Sequence, residues 1–280
     1  MLTHATSRGK HHEQTRHGIR RPSSSQPDPE PAERLDAGSA RIFEAQGAKA
    51  IATTSAGVLW ALGYPDGNLA PARLQAEVAA TITRVIRVPL SIDFEAGYSD
   101  DPKKVAENIK PILDAGVVGI NIEDGQDAPS VLAAKIEAVR AAAEKAGIAL
   151  WINARCDVYL QQLVDEPKRA DESIKRAELY GKAGASSIFL PALNDANDIR
   201  TVVKGSPIPT ALMAWAGLAD SAELQKLGVV RLSSGSGITQ VIWNHAARLA
   251  RAFVEKGESG PMAVDYMAHS ELQGLFAERT

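Results

Sequence analysis

The sequence predicts an α/β fold, a TIM-like (β/α)8 barrel, for most of the chain. Short apolar runs regularly alternate with amphipathic helical patterns, which implies a parallel sheet with right-handed crossovers. The length of 280 residues and an apolar content of 45% suit one large domain with a sizeable core. These observations concern the fold only, and the function has to be sought in particular side chains.

Seven apolar runs predict the strands, because most are rich in Val, Ile or Leu, as strands buried on both faces are. They are Ala48–Thr54, Val88–Phe94, Val117–Glu123, Ala149–Arg155, Ser187–Ala192, Pro209–Ala214 and Val229–Ser233. Seven helical patterns accompany them, several ending at a glycine as C-terminal caps do. They are Leu69–Arg87, Pro102–Ala115, Ser130–Ala146, Asp171–Ala183, Asp195–Val203, Ser221–Leu227 and Ile238–Lys256.

The chain divides into a tail at 1–34, a barrel at 35–257 and a C-terminal helical tail at 258–280. The first segment is polar and rich in proline, and we expect it to be mostly disordered. An eighth strand should precede Asp36, where the sequence represents it poorly. The C-terminal tail is amphipathic, and we expect it to pack on a neighbouring subunit or, alternatively, on its own.

Charge and composition exclude several classes of partner. A net charge of −3 offers no basic excess for nucleic acid, and no apolar stretch approaches the ~20 residues that cross a bilayer. The only cysteine, Cys156, excludes an intramolecular disulfide and fits a cytoplasmic protein. We interpret Cys156 as a structural thiol, since no histidine lies near it in sequence.

Acidic residues stand where several predicted strands end. Asp93 and Glu95 end one strand, Glu123 ends the next, and Asp66 lies in the loop after Ala48–Thr54. Because the carboxyl ends of barrel strands meet at one face, these acids would repel one another unless a cation lay between them. Oxygen ligands favour Mg²⁺, with Mn²⁺ as an alternative. Each acid taken alone could instead be solvated or cap a helix.

Two further features suggest a site for a small anionic substrate. Arg155 ends a strand and could grip a carboxylate or phosphoryl group, or merely pair with neighbouring acids. The turn formed by Thr54, Ser55, Ala56 and Gly57 could aim backbone N–H groups at an anion. The spacing of these residues does not decide whether Arg155 binds substrate or pairs with acids, and it does not by itself establish an anion site at the turn.

At these residues the sequence resembles the isocitrate lyase/phosphoenolpyruvate phosphonomutase superfamily, from about Asp36 to Lys256. The motifs that carry the resemblance are Asp36-Ala37-Gly38-Ser39-Ala40-Arg41, Thr53-Thr54-Ser55-Ala56-Gly57, Gly63-Tyr64-Pro65-Asp66, Asp93-Phe94-Glu95-Ala96-Gly97-Tyr98, Gly119-Ile120-Asn121-Ile122-Glu123-Asp124 and Ile152-Asn153-Ala154-Arg155-Cys156-Asp157.

The resemblance implies a barrel whose terminal helix is commonly swapped between subunits of a homodimer or homotetramer. It implies that Asp93 binds Mg²⁺ directly and that Asp66, Glu95 and Glu123 hold its water ligands. By the same resemblance the Ser55-Ala56 backbone binds an oxyanion and Arg155 anchors the substrate. The shared chemistry is a pyruvate-like enolate, formed while a C–C or P–C bond is made or broken.

Departures from the family pattern narrow the expected activity. Isocitrate and methylisocitrate lyases carry a Lys-Cys-Gly-His loop after the strand ending in Glu123, whereas this chain reads 124–130 as Asp-Gly-Gln-Asp-Ala-Pro-Ser. The mutase's gating segment is also absent, and its phosphonyl-binding histidine falls at Pro191. We therefore predict a Mg²⁺-dependent lyase or decarboxylase, resembling oxaloacetate decarboxylase, that cleaves a C–C bond of a small 2-oxo or 2-hydroxy dicarboxylic acid. The alternatives are a phosphonopyruvate hydrolase or phosphoenolpyruvate phosphonomutase, and a catalytically silent barrel scaffold.

Overall fold

A computed structural model of the chain describes residues 32–34 and 36–277 and contains one eight-stranded sheet. Each strand pairs in parallel with the next one along the chain. This order, with helices between the strands, confirms the predicted (β/α)8-type barrel. The strands are β1 Ala32–Arg34, β2 Ile51–Thr53, β3 Leu90–Asp93, β4 Gly119–Glu123, β5 Trp151–Arg155, β6 Ser187–Leu190, β7 Thr210–Met213 and β8 Arg231–Ser233.

Ten α-helices accompany the strands in the described part of the chain. All seven predicted helices are present, with ends that differ by up to four residues from the predicted ones. The helices are α1 Ala37–Ala45, α2 Ser55–Ala61, α3 Arg73–Val85, α4 Pro102–Asp114, α5 Pro129–Lys145, α6 Arg169–Lys182, α7 Ala196–Gly205, α8 Ser221–Leu227, α9 Gly237–Lys256 and α10 His269–Ala277.

Strand β1 corrects the predicted boundary between tail and barrel. It lies at the end of the segment 1–34, and its three residues pair with β2 from Ala32 opposite Ile51 to Arg34 opposite Thr53. Backbone pairing with the edge of β2 does not require an apolar sequence, which explains why composition concealed this strand. The barrel therefore begins before residue 35, and the predicted disorder of residues 1–31 falls outside the described residues.

Helices α1 and α2 are absent from the predicted set. Helix α1 begins at a capping box in which the Ser39 N–H donates to Asp36 Oδ1 at 2.7 Å. Helix α2 starts at Ser55, inside the segment that we interpreted as a turn. Its seven residues span only about two helical turns, too few to show a periodicity in the sequence.

The strands separate an apolar face from a polar one. Ile92, Ile120 and Ile152 are fully buried and belong to the core shared with the helices. Neighbouring residues in these strands point to the opposite side. There Asn153 Nδ2 donates to Asn121 Oδ1 at 2.8 Å, continuing a row of polar side chains across the sheet. Polar side chains also stand at the carboxyl ends of the strands, where Asp93, Glu123 and Arg155 are the last residues of β3, β4 and β5.

The C-terminal helices differ in their contacts. Helix α10 packs against α1, where Arg41 Nε donates to the Leu275 carbonyl at 2.7 Å. This contact joins the C-terminal tail to the first helix of the same chain. Helix α9 instead exposes large apolar side chains: Val241, Ile242, Trp243, Phe253 and Val254. None of the helices in the described ranges is both long and apolar enough to span a bilayer.

Gly97, in the loop after β3, should be sensitive to substitution. It has a φ of +86°, and an added Cβ would lie 2.8 Å from Val105 Cγ1. We expect Gly97→Ala to lower the free energy of unfolding by about 2–4 kcal/mol, combining left-handed strain with overpacking. Gly147→Ala is the control, because its φ is +70° but its Cβ would meet nothing within 4 Å. Urea denaturation measures both, and equal losses would contradict the predicted steric contribution.

Candidate active site

Asp93, the last residue of β3, lies at the centre of the acidic cluster and is 8% exposed. The Ser55 N–H is 3.4 Å from its Oδ2, and the Glu95 N–H donates to its Oδ1 at 3.1 Å. Burial raises the pKa of Asp93, Arg155 opposes that shift, and Asp66 adds to it. The carboxylate is therefore placed where a proton or a cation would be favourable.

Glu95 connects the cluster to the loop that carries Asp66. Its carboxylate accepts hydrogen bonds from the Gly67 N–H at 3.3 Å and the Asn68 N–H at 3.0 Å. The backbone of Glu95 has a φ of +47°, unusual for a residue with a side chain. Burial raises its pKa, and the charge of Asp93 adds to that effect. Asp66 itself is exposed beside these contacts.

Glu123 and Arg155 end the paired strands β4 and β5 opposite one another. Their side chains form an ion pair, with Arg155 Nη1 at 2.5 Å from Glu123 Oε2. Burial, together with the charges of Asp93 and Asp157, raises the pKa of Glu123 to about 8 despite the opposing effect of Arg155. Burial alone would lower the pKa of Arg155, but Glu123 and Asp157 reverse that effect. Arg155 thus pairs with acids and also borders the cluster.

Acidic side chains outnumber basic ones in this region, and the excess of negative charge suits a divalent cation. Besides burial, the charge of Asp66 raises the pKa of Asp93, and the charge of Asp93 raises the pKa of Glu95 and of Glu123. The charge of Arg155 opposes the rise at Asp93 and at Glu123. In the described residues no three His, Cys, Asp or Glu groups converge closely enough to hold a metal on their own. An ion here therefore needs water molecules to complete its shell, which is usual for Mg²⁺.

The predicted anion-binding turn begins helix α2. Thr54 is its N-cap, and Ser55, Ala56 and Gly57 form its first turn, all buried. The first N–H groups of a helix have no partner within it. The Ser55 N–H already faces Asp93, so these donors and the acidic cluster border the same space.

The loop after β4 is as short as the sequence predicts. Helix α5 starts at Pro129, leaving residues 124–128 between strand and helix. Its first residue, Asp124, is buried and accepts hydrogen bonds from Arg176 and Tyr180, so it does not face an open site. Cys156 is fully buried, and burial raises its pKa, which agrees with a structural thiol.

Sequence reasoning missed two charged residues that support the site. Asp157 binds Arg155 through two hydrogen bonds, and Lys135 of α5, 1% exposed, donates from Nζ to the Ala96 carbonyl at 3.0 Å. The spacing of Arg155 and Asp157, two apart at a strand end, was the available signal for the first. No local signal marks Lys135, because its partner lies 39 positions away in the chain.

Comparison with known proteins identifies relatives of this chain. The family model described as phosphoenolpyruvate phosphomutase matches residues 32–254. An uncharacterized protein of Mycobacterium tuberculosis strain H37Rv is 36% identical over 87% of this chain and 90% of its own length. The oxaloacetate decarboxylase of Ectopseudomonas mendocina is 30% identical, but the match spans 61% of this chain and 60% of that enzyme.

Solved structures show the same fold. A provisionally described phosphonomutase from Burkholderia cenocepacia J2315 has a TM-score of 0.75 and 35% identity, covering 80% of this chain and 95% of the other. A phosphonopyruvate hydrolase in complex with oxalate and Mg²⁺ has a TM-score of 0.76 at 19% identity, covering 88% and 89% of the two chains, and shows the fold alone. The chain therefore belongs to the phosphoenolpyruvate phosphomutase family, within the isocitrate lyase/phosphoenolpyruvate mutase superfamily of lyases and mutases.

Proposed function

We propose that the protein is a Mg²⁺-dependent lyase or decarboxylase that cleaves a C–C bond of a small 2-oxo or 2-hydroxy dicarboxylic acid. The observation that carries this proposal is the buried acidic cluster at the ends of β3 and β4, bordered by Arg155 and by the first turn of α2. Such a site can bind a cation and an anionic substrate side by side.

The donor set fits a hard cation, since all four acids offer oxygen atoms. In this proposal Asp93 binds the ion directly, while Asp66, Glu95 and Glu123 hold it through water. When bound, the ion would stabilise negative charge on the substrate's carbonyl oxygen as a pyruvate-like enolate forms. Asp93 and Glu95 are buried and Glu123 is partly buried, and this limited access of bulk water strengthens each interaction with the substrate.

The short loop after β4 favours decarboxylation over aldol-type cleavage. Carbon dioxide leaves without a proton donor, so no acid is required on residues 124–128, where Asp124 is already occupied by Arg176 and Tyr180. Arg155 and the α2 amides would hold the carboxylate that remains on the product. The likeness to oxaloacetate decarboxylase supports this substrate class.

A phosphonate substrate is the second candidate, because the family model and the Burkholderia structure both bear mutase names. Purified protein with Mg²⁺ should release pyruvate from oxaloacetate, with carbon dioxide, or from 2-methylmalate, with acetate, faster than a blank without protein. Phosphate release from phosphonopyruvate, without pyruvate from the dicarboxylic acids, would replace the first proposal with the second. Activity with none of these, and no Mg²⁺-linked rise in melting temperature, would support the scaffold alternative.

We also propose that the protein is a cytoplasmic homodimer or homotetramer in which α9 contacts a second subunit. Phe253 and Ile242, three helical turns apart, are 55% and 48% exposed although apolar. Such side chains on one helix are typical of an interface between copies. Phe253→Glu should therefore reduce the mass measured by light scattering after size exclusion, whereas Lys110→Glu, at an exposed position of α4, should not. An unchanged mass in Phe253→Glu would contradict the proposed interface.

A further inference from the structure

A second carboxylate lies behind Arg155. Asp157 Oδ1 accepts from Arg155 Nε at 2.7 Å, and Asp157 Oδ2 accepts from Nη2 at 3.0 Å. The Asp157 side chain is 1% exposed, and Gln161 Nε2 donates to its Oδ2 at 2.8 Å. Two parallel hydrogen bonds fix the plane of a guanidinium group as one bond cannot. Asp157 therefore determines how Arg155 is oriented.

Asp157 is itself anchored from the outer helix α6. Its N–H donates to Asp124 Oδ1 at 2.9 Å, and Asp124 is fully buried as a side chain. The other oxygen of Asp124 accepts from Arg176 Nη1 at 2.7 Å and from the Tyr180 hydroxyl at 2.6 Å. Arg176 and Tyr180 both belong to α6. A continuous set of polar contacts thus joins α6, through two buried carboxylates, to Arg155.

This arrangement leaves donors of Arg155 available for a ligand. A guanidinium group has five N–H groups. Two donate to Asp157, and Nη1 lies 2.5 Å from Glu123, so three are engaged among the described residues. The remaining two N–H groups, one on each terminal nitrogen, are the number that a carboxylate needs for a two-point contact.

We propose that Asp157 is a positioning residue that holds Arg155 ready for an anionic substrate, and that Asp124, Arg176 and Tyr180 tie this position to α6. The proposal rests on the proposed function in one respect, namely that Arg155 binds the substrate. In a merely structural role, loss of the Asp157 carboxylate would lower stability and leave ligand affinity unchanged. In the positioning role, it weakens ligand binding through Arg155.

Oxalate with Mg²⁺ is the probe, because a protein of the same fold binds both. We expect Asp157→Asn to raise the Kd of oxalate, measured by calorimetry, by about tenfold. Arg155→Lys should raise it at least as much, and in that background Asp157→Asn should add little. Tyr180→Phe, which removes one hydroxyl far from the ligand, should raise the Kd by about threefold. Asp114→Asn, at an exposed position of α4, makes the same chemical change and is the control.

An unchanged Kd in Asp157→Asn, alongside a weakened Arg155→Lys, would overturn the proposal and leave the proposed function standing. Arginine side-chain NMR adds a measurement independent of any ligand. The Arg155 Nε–H signal, assigned by its loss in Arg155→Lys, should exchange slowly with water and broaden in Asp157→Asn but not in Asp114→Asn. If the wild type fails to bind oxalate, the proposed function fails, and the NMR signal of the Arg155 Nε–H then tests the positioning role by itself. Exchange with water that is equally slow in Asp157→Asn and in the wild type would overturn that role.

Discussion

Asp93→Ala should abolish turnover, with a fall in kcat of about 10³-fold or more. In the proposed function Asp93 alone binds the cation directly, so its removal also removes the charge stabilisation that the cation provides. Burial raises the pKa of Asp93, so its removal relieves an unfavourable buried charge, which opposes the loss of its contacts with the Ser55 and Glu95 N–H groups. The measurement is Mg²⁺-dependent pyruvate release from oxaloacetate, corrected for a blank without protein.

Asp114→Ala is the matched control, because it removes an exposed carboxylate at the end of α4. Its kcat should equal that of the wild type. Asp93→Asn should resemble Asp93→Ala, since an amide keeps the shape but binds Mg²⁺ weakly. Activity of Asp93→Ala within a factor of about two of the wild type would remove Asp93 from the proposed metal site.

Arg155→Lys should raise KM for the anionic substrate by about 10- to 100-fold, with a smaller change in kcat. Lysine keeps the positive charge next to the partly buried Glu123 and the buried Asp157, so neither carboxylate loses its counterion. It cannot reproduce the planar two-point contact, which is why binding should suffer most. Steady-state kinetics with oxaloacetate provide the measurement.

Arg155→Met is less informative, because removing the charge leaves two acids unpaired and should cost about 3–5 kcal/mol of stability. A KM of Arg155→Lys equal to that of the wild type would show that Arg155 only pairs with its acids. That was the alternative which the sequence left open.

The parts of the fold that the sequence predicted are those with a strong local signal. Leu90–Asp93 and Trp151–Arg155 lie within apolar runs, and α8 matches its predicted range of Ser221–Leu227, between the Asp220 N-cap and Gly228. An eighth strand was expected before Asp36, but no local pattern marks β1, because a three-residue strand depends on its partner β2. Helix α2 was not predicted, because a seven-residue helix shows no clear period. Tertiary pairing, rather than local preference, determines both.

The residues of the candidate site also differ in whether the sequence could predict them. Asp93, Glu123 and Arg155 could be placed together from sequence, because each ends a strand and parallel strands end at one face. The hydrogen bond from Tyr180 to Asp124 joins residues 56 positions apart in the chain, and the one from Lys135 to Ala96 joins residues 39 positions apart. Such pairs leave no periodic trace in the chain, so only the folded structure reveals them.

Crystals of the protein soaked with Mn²⁺ would test the convergence of the acids on one cation most directly. Anomalous diffraction should show one strong peak within about 2.5 Å of an Asp93 carboxylate oxygen, with water between the ion and Asp66, Glu95 or Glu123. The same peak should be missing in Asp93→Ala. Occupied Mn²⁺ sites that all lie away from Asp93, or no bound ion at saturating concentration, would contradict the account.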